Sequence, residues 1–125
     1  MTAAPVPATP VPFVRLDPAA AVPETGGPEP GRVVAGTPVF TTRNAYESAD
    51  GKRFAGEWSC TPGCWRIRYD EWEHCRILAG TSVLTHAHGR SWTLRAGDSF
   101  VIEPGFEGTW EVVETTTKQY VILLP

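Results

Sequence analysis

The sequence of 125 residues has no cluster of lysine or arginine and no long apolar run; its formal net charge is −3 and its pI is near 5.6. Without a basic patch it lacks the electrostatic surface that binds nucleic acid or an anionic membrane. No stretch approaches the roughly 20 apolar residues of a membrane span, and the N-terminus lacks the basic start and apolar core of a secretory signal. We therefore expect a cytoplasmic protein whose partners are small molecules or proteins, not nucleic acid or membrane.

Cysteine is scarce, with three residues at Cys60, Cys64 and Cys75. An odd number does not make a disulfide framework, and in a reducing cytosol free thiols or metal ligands are the expected states.

Proline is concentrated at one end: eight of the twelve prolines fall in residues 1–30. This segment has few large apolar groups with which to offset the entropy of ordering, so residues 1–30 are interpreted as a flexible N-terminal arm and residues 31–125 as one domain. Phe13, Val14 and Leu16 form a short apolar patch within the arm.

A helical period is also missing, and short β-branched and aromatic runs alternate with turn residues instead. In "CWRIRY", Trp65, Ile67 and Tyr69 alternate with Arg66 and Arg68, which is the period of a strand. Further strands are predicted at "EHCRIL", "TSVLT", "SWTL", "DSFVIE", "TWEVVE" and "KQYVILL", with separators such as "LAG", "HAHG" and "RAGD". So many short strands predict an all-β barrel or jelly roll of two antiparallel sheets.

The "LTHAHGRSW" stretch places His86 and His88 at an H-x-H spacing used by metal enzymes. It lies between two predicted strands, and Gly89 can take the positive φ of a tight hairpin. We therefore interpret both histidines as solvated turn residues, with adventitious zinc or nickel binding as the alternative.

Two stretches together resemble the cupin superfamily: "GEWSCTPGCWRIRYDEWEHCRILAG" and "GDSFVIEPGFEGTWEVVETTTKQYVIL". The similar branch is that of the ureidoglycine aminohydrolase cupin domain and the ethanolamine-utilisation cupin. The matching elements are G-x-W-x-x-T-P-G at 56–63, E-x6-G at 73–80, G-D at 97–98 and P-G-F-x-G-x-W at 104–110. The resemblance implies a single cupin β-barrel. It also implies a homodimer that exchanges an N-terminal segment, either the patch at 13–16 or the strand "GTPVFTT".

Metal-binding cupins carry H-x-H before the first-motif Glu and another His after the second-motif P-G. By this resemblance Pro62 and Cys64 stand in place of the two histidines, and Gly108 and Trp110 in place of the third, so only Glu73 remains. The resemblance therefore implies a degenerate metal site that has lost its histidine ligands.

A second ligand set stays open. If Glu73 points into the barrel, alternation places Cys75 and Ile77 on the same face and His74 on the other. With Cys60 and Cys64 beside the "TPG" turn, three thiolates and one carboxylate would suit zinc. The alternatives are buried structural cysteines and no cofactor at all.

Without a metal, the pocket itself has to supply the chemistry. Burial would raise the pKa of Glu73 and make it a candidate general acid or base, unless Arg66 or Arg68 pairs with it. The candidate ligand-binding residues combine cationic, phenolic and indole side chains: Arg66, Arg68, Tyr69, Trp58, Trp110 and Tyr120. For the tryptophans, core packing is the competing interpretation.

Two functions are consistent with these residues. One is a module that binds a small polar metabolite in the barrel without chemistry. The other is a hydrolase, lyase or isomerase that uses Glu73 as acid or base, with or without a metal held by Cys and Glu.

Overall fold

The computed structural model describes residues 11–125, which form nine strands and two 3₁₀ helices of three residues each. The helices are Pro18–Ala20 and Pro30–Arg32, and neither has the length to cross a membrane. The strands are β1 (Glu24–Gly26), β2 (Val33–Gly36), β3 (Phe40–Glu47), β4 (Arg53–Cys60), β5 (Gly63–Arg68), β6 (Trp72–His86), β7 (Ser91–Arg95), β8 (Ser99–Ile102) and β9 (Glu107–Leu123).

All nine strands belong to one antiparallel sheet that curls into a half-barrel. One path through it runs in the order β1-β3-β4-β9-β5-β2, and β6 pairs with β7, β8 and β9. The predicted all-β antiparallel fold is confirmed, as one curled sheet rather than two separate ones. The core lies on the concave face, where alternate residues such as Trp65, Ile77, Leu84, Trp110 and Val112 are buried.

The long strands β6 and β9 replace pairs of shorter predicted strands. "EHCRIL" and "TSVLT" are parts of β6, so the "LAG" separator is not a turn. It is a bulge, because the β6–β9 register shifts between Ile77 and Ser82 and Gly80 has a φ of +85°. The bulge lets one strand bend, so its first half pairs with β8 and its second half with β7.

Part of the expected N-terminal arm is attached to the domain. Within residues 11–30, β1 pairs with β3 in the register Glu24↔Thr42, and Arg43 Nη1 donates to the Ala21 carbonyl over 3.1 Å. The ordered sheet therefore begins before residue 31. Backbone hydrogen bonds hold this segment against the sheet. Amino-acid composition does not reveal such bonds. Residues 1–10 lie outside the described residues.

Candidate functional site

A cavity of about 710 Å³ opens on the concave side of the sheet. Aromatic rings from four strands line it, among them Phe40, Trp58, Trp65 and Trp110. Their centroids lie 5.1–6.2 Å apart in tilted or edge-to-face pairs, which are favourable arrangements for aromatic rings. The cavity therefore has a largely apolar wall.

At the inner end of the cavity Glu73 of β6 and Lys118 of β9 form a buried ion pair. Lys118 Nζ lies 3.3 Å from Glu73 Oε2 and 3.4 Å from Oε1, and the two residues are 5% and 4% exposed. Both strands run side by side here, since Glu73 pairs with Ile122 and Ile77 pairs with Lys118. Two opposite charges are thus held where water barely reaches.

The Lys118 ammonium also lies against two indole rings. Its Nζ is 4.7 Å from the ring centroid of Trp58 and 4.5 Å from that of Trp110. Burial alone lowers the pKa of Lys118, but the neighbouring Glu73 carboxylate and Cys75 outweigh it and the pKa is raised. Lys118 is therefore a fixed cation at neutral pH.

Tyr69 completes this polar inner end, which we call the Tyr69–Glu73–Lys118 triad. Its hydroxyl donates to Glu73 Oε1 over 2.6 Å. The backbone of Tyr69 is fixed by two bonds to the loop before β9: its N–H donates to Phe106 and its carbonyl accepts from Gly105. Burial and the Glu73 carboxylate raise the pKa of Tyr69 well above its usual value, so the phenol stays protonated.

Tyr120 lies on the same face of β9 as Lys118 and also lines the cavity. Its hydroxyl donates to Asn44 Oδ1 over 2.7 Å, and burial raises its pKa to about 12. Gly56 of the G-x-W motif pairs with Tyr120, and a Cβ at Gly56 would lie 2.6 Å from the Tyr120 hydroxyl. The glycine leaves space for that phenol.

A buried hydrogen-bond network fixes the ring of Trp110 beneath Lys118. Trp110 Nε1 donates to Ser82 Oγ over 3.1 Å, and Ser82 Oγ lies 2.7 Å from Thr116 Oγ1. Because the indole N–H is bonded in this way, one face of the ring is held toward the ammonium.

Comparison with known proteins identifies the family of this chain. A family model described as the EutQ-like cupin domain matches residues 47–120, which is more than half of the chain. The chain belongs to the EutQ-like cupin family. Among curated proteins, none matches the sequence significantly.

Three solved cupin structures illustrate the shared fold. A protein of unknown function of the DUF861 family from Pseudomonas syringae is 23% identical, with 86% of this chain and 46% of that chain covered and a TM-score of 0.76. This chain thus spans about half of the Pseudomonas protein. A putative ethanolamine utilization protein Q from Salmonella typhimurium is 19% identical over 67% and 68%, with a TM-score of 0.60. A predicted oxalate decarboxylase from Thermotoga maritima is 16% identical over 90% and 100%, with a TM-score of 0.69.

The arginines of this cupin do not pair with Glu73, contrary to one sequence-based alternative. Arg66 Nη2 donates to the Gly31 carbonyl over 2.5 Å, and Arg68 lies near Asp70 and Glu107 at 3.9 and 3.6 Å. Both arginines are exposed and border the outer part of the cavity. Alternation places their side chains away from the Trp65 and Ile67 face, so they cannot reach the inner end.

Lys118, which does pair with Glu73, was not among the predicted site residues. A signal for it was present in "KQYVILL", because alternation places Lys118 on the same face as Tyr120. A lone lysine in a strand is usually solvent-facing, so the pattern by itself does not predict a buried cation.

The predicted Cys and Glu ligand set does not assemble. Cys75 lies beside Glu73 and Lys118, whereas Cys60 is packed in the core and Cys64 lies near Thr109 and Glu111. Burial raises the pKa of Cys75 and of Cys60 to about 12, so both remain thiols. Within residues 11–125 no three His, Cys, Asp or Glu side chains lie close enough together to hold a metal ion.

The resemblance puts Pro62 and Cys64 in place of the two missing histidines. Pro62 is exposed at the β4–β5 turn and Cys64 is the second residue of β5, and neither lines the cavity. The side chain that precedes Glu73 and touches its carboxylate is Tyr69, four residues earlier. Trp110, by contrast, lies beside Lys118 on the cavity wall.

His86 and His88 lie at the β6–β7 hairpin, as predicted, where Gly89 has a φ of +98°. His88 is exposed, but His86 is half-buried and packs edge-on against Phe106 with centroids 5.1 Å apart. The interpretation as fully solvated residues is therefore wrong for His86, because the loop before β9 folds over it.

Proposed function

We propose that this cupin binds a small polar metabolite in the aromatic-lined cavity and does so without a divalent metal. The observation that carries the proposal is the Tyr69–Glu73–Lys118 triad at the inner end of a cavity of about 710 Å³. A buried ion pair contributes little net stability compared with well-packed apolar side chains. Its presence on a cavity wall therefore favours a role in recognition.

A thermal-shift screen with libraries of polar metabolites tests this binding. We expect at least one compound class to raise the melting temperature of the wild-type protein in a concentration-dependent way, because ligands that bind only the native state stabilise it. The shift should shrink in Tyr69→Phe, which loses one hydroxyl of the triad, and persist in Tyr46→Phe, whose ring is half-buried outside the cavity. Equal shifts in both variants would place binding elsewhere.

The proposed binding without a divalent metal can be tested separately. The Lys118 ammonium lies 3.3 Å from the Glu73 carboxylate and would repel a divalent cation. Protein purified without chelator or nickel resin should carry substoichiometric metal by elemental mass spectrometry, both in wild type and in Cys75→Ser. Stoichiometric zinc that is lost in Cys75→Ser would contradict the proposal.

The second candidate function is catalysis by the same triad. It is favoured by the 2.6 Å contact between Tyr69 and Glu73, which would let a proton pass between phenol, carboxylate and a substrate. A hydrolase, lyase or isomerase step with Glu73 as acid or base fits this contact. Conversion of a bound compound, abolished in Glu73→Gln, would distinguish it from binding alone.

A cytoplasmic homodimer remains part of the proposal. The described N-terminal residues leave an apolar patch in solvent, with Val11, Phe13 and Val14 each more than half exposed. Such a patch is a suitable contact for a second copy of the chain.

A further inference from the structure

We propose that the ligand of this cavity carries a carboxylate and that the Lys118 ammonium is its anchor. This inference rests on the proposed function and adds the chemical class of the ligand. Lys118 supplies the positive charge that a bound metal ion would otherwise present to an anionic group.

The ammonium has donor capacity left for such a group. An ammonium has three N–H donors, yet the Glu73 oxygens lie at 3.3 and 3.4 Å, beyond the 2.7–2.9 Å of tight charge-assisted bonds. Glu73 Oε1 already accepts the shorter bond from Tyr69. The Cys75 thiol beside Lys118 is a weak acceptor. A ligand carboxylate oxygen at about 2.7–2.9 Å would therefore bond the ammonium more tightly than the present partners do.

The same contacts disfavour a cationic ligand. Aromatic faces and a carboxylate are the groups that recognise ammonium ligands, and here Lys118 itself occupies them through Trp58, Trp110 and Glu73. A second cation beside Lys118 would meet its charge, and the Glu73 carboxylate there is already paired.

The aromatic walls of the cavity indicate the rest of the ligand, to which the carboxylate is attached. Phe40 and Trp65 line the cavity next to the Trp58 ring, with centroids 5.1 Å apart from each other. These flat apolar surfaces suit a planar or hydrophobic body. The expected ligand is thus a small carboxylate with an apolar or aromatic portion.

The experiment uses three planar probes of nearly equal shape and different charge: benzoate, benzamide and benzamidine. Binding to the full chain is followed by tryptophan fluorescence and by the ammonium resonances of protein labelled with [15N]lysine. The chain has two lysines, Lys52 and Lys118, so assignment is direct. Benzoate should bind at least tenfold more tightly than the other probes and shift the Lys118 resonance while leaving that of Lys52 unchanged.

Variants decide whether Lys118 is the anchor. Lys118→Met should weaken benzoate binding at least tenfold, whereas Lys118→Arg retains part of it and the exposed-site control Lys52→Met retains all of it. If Lys118→Met does not fold, the double variant Glu73→Gln with Lys118→Met, which carries neither buried charge, serves in its place.

The outcomes separate the anchor from the proposed function. Equal benzoate affinity without Lys118, a preference for benzamidine, or no binding of any probe overturns the anchor. If metabolites bind in the cavity regardless of their charge, the proposed binding function holds but Lys118 is not its anchor. An empty metabolite screen would refute the proposed function, whatever the probes do.

Discussion

Lys118→Met is expected to lower the free energy of unfolding by about 3–5 kcal/mol, because it leaves the Glu73 carboxylate buried without its counter-ion. Glu73 is 4% exposed, so water cannot replace the lost charge, and Tyr69 offers a single hydrogen bond. Urea denaturation followed by tryptophan fluorescence at neutral pH measures the change.

The control is the other lysine, Lys52, which is exposed before β4. Lys52→Met should change stability by no more than about 0.5 kcal/mol. The double variant Glu73→Gln with Lys118→Met should be more stable than Lys118→Met alone, because it removes the unpaired charge. If Lys118→Met proved as stable as Lys52→Met, the ion pair would not be buried as described.

Removing the other partner gives stability a dependence on pH that the Lys118 ammonium of the native protein does not cause below pH 10.5. In the native protein the pKa of Lys118 is raised above its unfolded value of 10.5, so its stabilisation is complete below that value and is lost as pH rises through the folded pKa. In Glu73→Gln burial prevails, the folded pKa of Lys118 falls below the unfolded one, and stability should increase as pH rises. Measurements between about pH 7.5 and pH 9 avoid most histidine titration, and the thiols that titrate there in the unfolded state are the same in both proteins, so their effect cancels in the comparison. Parallel slopes in the two proteins would refute the pairing.

Strand alternation was sufficient to orient one side of the site. It correctly predicted that Glu73, Cys75 and Ile77 share the buried face of β6, since period two is imposed by the pleat and needs no tertiary information. It did not reveal which cation faces Glu73. The partner lies 45 residues away on β9, and the curl of the sheet that brings β6 and β9 together is not encoded in either strand alone.

The missing metal ligands concern a second kind of prediction, in which motif resemblance is used to assign site positions. Motif resemblance pointed to Pro62 and Cys64, but the side chain that touches Glu73 is Tyr69. Tyr69 follows β5 and is held by the loop at Gly105 and Phe106, so its location depends on pairing between distant segments. Resemblance was sufficient to predict the fold, whereas the contact between Tyr69 and Glu73 depends on how distant segments pair.

The same distinction applies to "LAG", where the glycine predicts a turn and the structure has a bulge within β6. A G1-type bulge and several tight turns both place a glycine at positive φ, so the residue type alone does not separate them. Only the continuation of the β6–β9 pairing on both sides of Gly80 identifies the bulge.

Gly80→Ala is the second change with a large expected effect. Gly80 has a φ of +85°, and a Cβ added there would approach the Thr115 carbonyl oxygen on β9 far inside contact distance. The left-handed backbone adds about 1–2 kcal/mol of strain and overpacking adds about 1–3 kcal/mol, so we expect a loss of roughly 3 kcal/mol. The damage should reach the cavity, because this bulge sets the bend between the Glu73 half of β6 and its second half.

Gly89→Ala separates the two causes of that loss. Gly89 at the β6–β7 hairpin also has positive φ, at +98°, but nothing lies within 4 Å of an added Cβ. Its alanine variant should lose only the backbone contribution of about 1–2 kcal/mol. The difference between the two variants in urea denaturation then measures the contact with β9. Equal losses would mean that β9 yields to the added methyl group, and that the close approach at Gly80 does not hold the bend that positions Glu73 opposite Lys118.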